Sequence, residues 1–205
     1  MNELVQQIIK NYRPGFSLEQ AFYISNEVFE AEWEHIFKKQ WLYAGNITQI
    51  PKPGDYFLYQ LQNDSVIVIR GNNNEVYGLY NTCRHRGSAI CLTESGHAAK
   101  LVCPYHQWVY DKDGTLLNAR MMPDDFDKSG YRLSSVHARV VEGLIFVSLA
   151  KMAPSFSAIE NSLSPYLKPF RINSAKLACR KNYKLQANWK LVAENFRECY
   201  HCGGV

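Results

Sequence analysis

The sequence lacks the patterns of membrane-spanning, exported and nucleic-acid-binding proteins. It contains no run of about eighteen apolar residues, and Met1–Val5 has no basic stretch followed by an apolar one. Its 23 basic and 19 acidic residues are interspersed and leave a net charge of only +4, without a run of Lys or Arg. We therefore expect a cytoplasmic protein that binds neither membranes nor nucleic acids.

Internal repeats and low-complexity segments are also missing. Apolar residues make up 46% of the 205 residues and aromatic residues 13%, a composition typical of a folded chain with one or two domains. Because the sequence shows no export signal, we do not expect a disulfide framework. We predict that Cys91, Cys179, Cys199 and Cys202 are free thiols.

Two Cys-His pairs form the strongest motif. Cys83 and His85 are followed, after residues 86–102, by Cys103 and His106. Two thiolates and two imidazoles suit either a zinc ion or a [2Fe–2S] cluster. Zinc modules usually pair Cys with Cys and His with His, whereas here each segment supplies one of each. The spacing favours the cluster and leaves zinc as the alternative.

The motif resembles that of Rieske proteins, C-x-H followed by C-x2-H. The flanking residues, Cys83–Gly87 and Cys103–Trp108, are similar to those of ring-hydroxylating Rieske non-haem iron oxygenases. Respiratory Rieske proteins have an additional disulfide, and Ser88 and Tyr105 stand at its two positions. The resemblance implies that Cys83, His85, Cys103 and His106 bind a Rieske [2Fe–2S] cluster, with Gly87 and Pro104 shaping the loops. Trp108 and Tyr110 are expected in the core.

The fold is predicted to be mainly β with flanking helices. Short strand-like segments divided by turn residues indicate an antiparallel sandwich or barrel that carries two cluster-binding loops. The predicted strands are Tyr56–Leu61, Ser65–Arg70, Glu75–Tyr80, Lys100–Val102, Gln107–Tyr110, Thr115–Leu117, His137–Val141 and Leu144–Leu149. We divide the chain into an arm and helix (1–41), a Rieske domain (42–152) and the beginning of an α+β catalytic domain (153–205).

Helices and one further strand are predicted outside the sandwich. Ser25 caps a helix that ends near Trp41 and whose apolar face is Phe29, Trp33, Ile36 and Phe37. Ile159–Phe170 is a second helix, Ala175–Leu185 a strand, and a third helix runs from Asn188 to Gly203. His35, His97 and His137 have no partner at ligand spacing, so we assign them structural or surface roles.

Glu198 and His201 are predicted to share one face of the last helix, three residues apart. The run from Asn188 to His201 resembles the opening of the catalytic domain of Rieske oxygenases. By that resemblance His201 is the first ligand of a mononuclear ferrous iron, and Glu198 connects this iron to a Rieske histidine. The family's usual residue at the second position is Asp, so Glu198 is a departure. The other iron ligands are expected beyond Val205, which would make the chain an amino-terminal fragment of an α subunit.

The resemblance implies an O2-dependent oxidoreductase. An NAD(P)H-dependent flavin and iron–sulfur reductase would supply electrons, and three subunits would form a ring in which His106 faces a neighbour's Glu198. Gln107, Glu198 and the run Glu198–Cys202 resemble members that act on quaternary ammonium compounds such as glycine betaine, carnitine or stachydrine. The alternatives are an aromatic-ring dioxygenase and a Rieske ferredoxin-like electron carrier. By itself, the 205-residue chain is expected to carry electrons without oxygenating a substrate.

Overall fold

The computed structural model describes residues 3–198. Contacts divide the chain into two compact units, Lys39–Ala178 and a second unit that combines Met1–Lys38 with Cys179–Val205. The three-part division predicted from the sequence stays a prediction. Within the described range, no helix is long and apolar enough to cross a membrane.

The unit Lys39–Ala178 is built on antiparallel β-structure, as the sequence predicted. Seven strands form one sheet in the order β1-β10-β9-β4-β3-β2-β5, and three short strands form a second sheet in the order β6-β7-β8. The strands are β1 (Leu42–Asn46), β2 (Asp55–Leu61), β3 (Asp64–Arg70), β4 (Val76–Tyr80), β5 (Ser95–His97), β6 (Leu101–Val102), β7 (Val109–Tyr110), β8 (Leu116–Asn118), β9 (Ser135–Val141) and β10 (Leu144–Ser148).

Strand β3 lies inside the larger sheet, between β4 and β2, and is buried on both faces. Ile67 and Ile69 point into a core beneath the two ligand loops, whereas Val66 and Val68 point into a second core on the opposite face. Successive side chains of a strand alternate between the two faces of a sheet, so four consecutive β-branched residues supply both cores. The ligand loops therefore rest on a strand whose four central residues are fully buried.

The two edges of the seven-stranded sheet are short or irregular. The register of β1 against β10 shifts between Tyr43 and Gly45, which leaves Ala44 without a paired residue. At the other edge, β5 has three residues, and its His97 lies beside Asp55 with 2.8 Å between imidazole Nδ1 and carboxylate Oδ1. That contact gives His97 the structural role assigned to it from the sequence.

Three of the five α-helices within residues 3–198 correspond to helices predicted from the sequence. Residues 157–170 are helical as expected, with an α-helix followed by a 3-10 turn, Lys168–Phe170. Ser25 caps the first predicted helix by accepting a hydrogen bond from the Val28 amide. The α-helices are α1 (Glu3–Asn11), α2 (Ala21–Ile24), α3 (Asn26–Glu32), α4 (Ser157–Leu167) and α5 (Trp189–Arg197).

The apolar face predicted for the helix after Ser25 is partly wrong. A π-helical turn, Trp33–Phe37, follows α3, and the Lys38 amide donates to the carbonyl of Trp33. This wider turn changes the spacing of residues on the helix surface. As a result Ile36 is exposed, while Val28, Glu32 and Trp33 form the buried face.

Two other predictions near the carboxyl end are corrected. Residues 175–185 form neither helix nor strand, and their apolar side chains Leu177, Tyr183 and Leu185 are exposed. A strand needs a hydrogen-bonding neighbour, and the described residues supply none for this segment. Asn188 caps α5 as predicted, but the helix ends at Arg197 and Glu198 has extended backbone angles. Glu198 therefore lies just outside the helix on which it was expected.

Candidate metal centre

The first ligand loop connects β4 to β5 and turns tightly around Cys83. The Cys83 amide donates to the carbonyl of Ser88 at 2.8 Å, and the Gly87 amide donates back to the carbonyl of Cys83 at 3.0 Å. Gly87 has a φ of +75°, in the left-handed region that glycine occupies without steric cost. These bonds fix the direction in which Cys83 and the neighbouring His85 leave the backbone.

The second loop, between β6 and β7, repeats the same hydrogen-bond pattern. The Cys103 amide donates to the carbonyl of Trp108 at 2.9 Å, and the Gln107 amide donates to the carbonyl of Cys103 at 3.0 Å. Gln107 takes the place of Gly87 and has a φ of +61°, which is uncommon for a residue with a side chain. Its amide oxygen accepts a hydrogen bond from the Arg120 guanidinium, which holds the strained residue in place.

The Asn81 side chain connects the start of the first loop to the backbone of Ile90 and Cys91. Its side-chain oxygen accepts hydrogen bonds from the amides of Ile90 and Cys91, both at 2.9 Å, and its nitrogen donates to the carbonyl of Cys91 at 2.8 Å. Asn81 is buried, so these bonds satisfy backbone groups that water does not reach. Sequence reasoning gave Asn81 no role, because its partners are nine and ten residues away.

The four predicted ligands come together as two unlike pairs. Cys83 and Cys103 are 3% and 1% exposed, and both belong to the core beneath the loops. The His85 and His106 rings lie nearer the surface, with 4.6 Å between their centroids. The two loops thus place their thiols inside and their imidazoles outside.

Tyr110 and Trp108, assigned only to the core from the sequence, contact the predicted ligands. The Tyr110 hydroxyl lies 3.2 Å from the Cys83 sulfur and accepts a hydrogen bond from the Arg84 amide at 3.1 Å. The Trp108 ring stacks on His85 with 4.8 Å between centroids and 9° between planes. A buried Tyr hydroxyl usually needs a polar partner, and this rule is the signal that could have suggested the contact of Tyr110.

The protonation of these groups follows from their surroundings. Burial raises the pKa of the Cys83 thiol, and burial together with the hydrogen bond to Cys83 raises the pKa of Tyr110. Desolvation lowers the pKa of His106, and the charges of His85 and Arg86 lower it further. Metals bind the neutral imidazole and the thiolate, so metal binding here would release protons from the cysteines.

The donor arrangement fits a binuclear cluster. Among residues 3–198, no three His, Cys, Asp or Glu side chains are grouped so that they could hold one metal ion. Instead, a thiol pair and an imidazole pair stand side by side, as a [2Fe–2S] cluster with two ligands of each kind requires. In the same core, the Trp108 indole N–H is buried without a hydrogen-bond acceptor among the described groups. Cluster sulfides are acceptors, so the group that fits the ligands also fits this donor.

Comparison with protein families agrees with this geometry. Residues 40–136 match the model of the Rieske [2Fe-2S] domain, and residues 173–205 match that of the ring hydroxylating alpha subunit, catalytic domain. The chain belongs to the Rieske oxygenase family. A Rieske domain carries a [2Fe–2S] cluster, so the family match excludes the zinc alternative.

Individual relatives of this Rieske oxygenase chain are similar over nearly its whole length. The glycine betaine monooxygenase oxygenase subunit of Pseudomonas aeruginosa is 45% identical over 93% of the chain and 44% of its own length. The carnitine monooxygenase oxygenase subunit of Escherichia coli K12 is 28% identical over 98% of the chain and 54% of its own length. The chain therefore spans about half of these curated relatives.

Solved structures of Rieske oxygenases have the same fold. A quaternary ammonium Rieske monooxygenase matches with a TM-score of 0.83 and 32% identity, over 90% of this chain and 52% of its own. Naphthalene 1,2-dioxygenase from Rhodococcus sp. also has a TM-score of 0.83, with 30% identity over 96% of this chain and 47% of its own. The fold is therefore shared by relatives with different substrates and does not identify the substrate.

The remaining predicted residues have separate outcomes. His201, Cys199 and Cys202 lie outside the described residues. Glu198 is exposed at the end of α5, and its amide donates to the carbonyl of Glu194. Cys91 and Cys179 are free thiols as predicted, and burial raises the pKa of Cys91 to about 11. The cluster ligands and the roles of Glu198 and His201 stay predictions.

Glycine at position 87 is expected to be needed for its backbone angles. Gly87→Ala should destabilise the protein by about 1–2 kcal/mol, because an L-residue in the left-handed region is strained. Gly130→Ala is the matched control, since a Cβ would meet no atom within 4 Å at either glycine and only Gly87 has a positive φ. Thermal unfolding of both variants measures the difference. Equal melting temperatures for the two variants would show that loop strain is absent.

Proposed function

We propose that this chain is the amino-terminal half of the oxygenase subunit of a Rieske monooxygenase that oxidises a quaternary ammonium compound, first of all glycine betaine. The observation that carries the proposal is the difference in sequence identity. The chain is 45% identical to a glycine betaine monooxygenase subunit, but 30% identical to the chlorobenzene dioxygenase alpha subunit of Cupriavidus sp.. A pure electron carrier is disfavoured because residues 173–205 match a catalytic domain.

In this proposal Cys83 and Cys103 hold the inner iron of the cluster, and His85 and His106 hold the outer one. A bound Rieske cluster takes up and passes on one electron at a time. The protein supplies the surroundings: the Tyr110 hydroxyl and the His85 amide are placed to donate hydrogen bonds to the Cys83 sulfur. Such bonds stabilise the more negative, reduced state of a cluster and so raise its reduction potential.

The histidines lie nearer the surface than the cysteines, which supports a route for the electron through the imidazoles. His85 is exposed and His106 half-buried, whereas the thiols lie in the core, so a donor or acceptor protein reaches the imidazole side. We assign the donor role to an NAD(P)H-dependent reductase. On the acceptor side, Glu198 of a neighbouring subunit in a homotrimer would face His106 and lead to an iron bound by His201. A location in the cytoplasm follows from the requirement for a reduced nicotinamide cofactor.

The proposal is tested by turnover of the complete oxygenase subunit. With its reductase, NADH and O2, the enzyme should oxidise an N-methyl group of glycine betaine and release formaldehyde. We expect kcat/KM for glycine betaine to exceed that for carnitine by about 10-fold or more, since pockets that differ by a few groups discriminate to this degree. NADH consumption and formaldehyde release are measured together. Oxidation of an aromatic hydrocarbon in place of glycine betaine would assign the chain to the dioxygenases instead.

A further inference from the structure

A buried ion pair connects distant parts of the unit formed by Met1–Lys38 and Cys179–Val205. The Lys190 ammonium lies 2.5 Å from Glu32 Oε1, although the two residues are 158 positions apart in the sequence. Glu32 is 9% exposed and Lys190 7%. The second oxygen of Glu32 accepts a hydrogen bond from the Trp189 indole N–H at 2.8 Å. The carboxylate therefore holds two successive residues at the start of α5.

Burial of this pair is difficult to explain by stability alone. Removing two charges from water costs about as much free energy as their attraction returns, and apolar residues of similar size often stabilise a protein equally well. What a satisfied buried pair does supply is one defined geometry, because any displacement leaves an unpaired charge out of water. The pair between Glu32 and Lys190 therefore fixes the position of one structural element.

That element is α5, which is held at two further points. The Tyr23 hydroxyl donates to Glu194 Oε1 at 2.9 Å, and the Asn188 side chain donates to the carbonyl of Tyr23 at 3.1 Å. The Lys190 ammonium also lies 5.9 Å from the centre of the Tyr23 ring. Contacts at positions 188, 190 and 194 thus attach the first two turns of α5 to residues of α2 and α3.

Glu198 follows directly from the attached turns. Its amide donates to the carbonyl of Glu194 at 3.0 Å, which makes it the C-cap residue of the helix. Glu194 is the residue whose side chain Tyr23 holds. A rotation of α5, or a shift along its axis, would break these contacts and displace Glu198, because the Glu198 amide is bonded to the helix.

We propose that Glu32 and Tyr23 are positioning residues for electron transfer: they fix α5 so that Glu198 keeps the place from which it connects the cluster to the mononuclear iron. The inference rests on the proposed function, in which Glu198 has that bridging role. It extends the functional unit to the amino-terminal helices, which contribute no metal ligand. A geometric error of about 1 Å at such a bridge is enough to slow the reaction strongly.

The test uses the complete subunit with both charges removed, as Glu32→Gln/Lys190→Met. The reduced enzyme is mixed with O2 and glycine betaine, and reoxidation of the cluster is followed by stopped-flow absorption. We expect transfer to be slower by about 10-fold or more, as for other residues that orient a metal ligand, with unchanged iron and sulfide content and a similar melting temperature. The control is Glu34→Gln/Lys38→Met, which removes a pair with the same 2.5 Å separation that is exposed to solvent. It should transfer electrons at the wild-type rate.

Tyr23→Phe provides a second variant that preserves the ring over Lys190 and removes only the hydroxyl bond to Glu194. It should fold normally and slow transfer by a few fold. If the double variant does not fold, Tyr23→Phe decides, and a wild-type transfer rate in it overturns the positioning role. The same conclusion follows if the double variant folds and transfers normally, or if transfer falls only in proportion to lost iron. A wild-type enzyme whose reduced cluster is not reoxidised with substrate and O2 overturns the proposed function and this inference together.

Discussion

Cys83→Ala is expected to give a colourless protein with neither iron nor acid-labile sulfide. Cys83 and Cys103 interact with each other in the core beneath the loops, whereas the third thiol of that core, Cys91, has Tyr56 as its hydrogen-bond partner. A cluster that loses the Cys83 thiolate therefore loses a ligand that neither motif can replace. The imidazoles of His85 and His106 cannot move inward to take that place, because the loop hydrogen bonds fix the backbone of both motifs. Visible absorption, together with iron and sulfide analysis of the purified chain, measures the loss.

Cys91→Ser is the matched control for that experiment. Cys91 is also buried in the core beneath the loops, and the substitution likewise removes a thiol. It should retain two irons and two sulfides per chain, although a buried hydroxyl in place of the thiol is expected to cost about 1–3 kcal/mol of stability. A protein that loses its colour on Cys91→Ser and keeps it on Cys83→Ala would refute the ligand assignment.

Glu198→Ala is expected to uncouple the complete enzyme. Electrons would still enter the cluster, because Glu198 does not belong to the unit that contains the four predicted cluster ligands. Passage to the mononuclear iron would fall by about 10- to 100-fold, which is the usual effect of removing a residue that connects to a metal ligand. Product formed per NADH oxidised and the rate of cluster reoxidation are the two quantities to measure, and both should fall.

Glu194→Gln is an informative comparison with Glu198→Ala. Its amide oxygen still accepts the hydrogen bond from Tyr23, so this variant keeps the attachment of α5 and loses only a charge four residues earlier. It should remain close to wild type in turnover. If Glu198→Ala turns over normally, or if both variants are equally impaired, Glu198 is not the bridge. Iron content has to be unchanged in either variant for the comparison to hold.

The sequence predicted the parts of the fold in which a local pattern is repeated along the chain. The hairpin of β2 and β3 is an example, since two runs of apolar residues, 56–59 and 66–69, flank a polar segment that contains Asn63. Strands β1 and β5 were not predicted, because β1 includes Gly45 and β5 consists of only Ser95–His97. Both are strands because longer neighbours pair with them, and this information is absent from their own residues.

The candidate site was predicted unevenly for the same reason. Spacing along the chain is enough to select Cys83, His85, Cys103 and His106. The contacts of Asn81, Trp108 and Tyr110 depend on how the two loops pack against each other, and so they appeared only in the structure. The helix that was expected to continue to Gly203 ends at Arg197, because Glu198 adopts an extended backbone. No helix-terminating residue stands at that position to predict this end.

The two irregular edges of the large sheet disfavour its continuation into a second molecule. A long, flat edge strand offers unpaired backbone groups to another sheet and promotes aggregation. Here one edge, β1, is interrupted at Ala44, and the other, β5, has only three residues. Neither edge presents a row of amides and carbonyls long enough to continue the sheet into a second molecule. In the trimer proposed above, the contacts between subunits would therefore come from side chains and loops and not from continuation of this sheet.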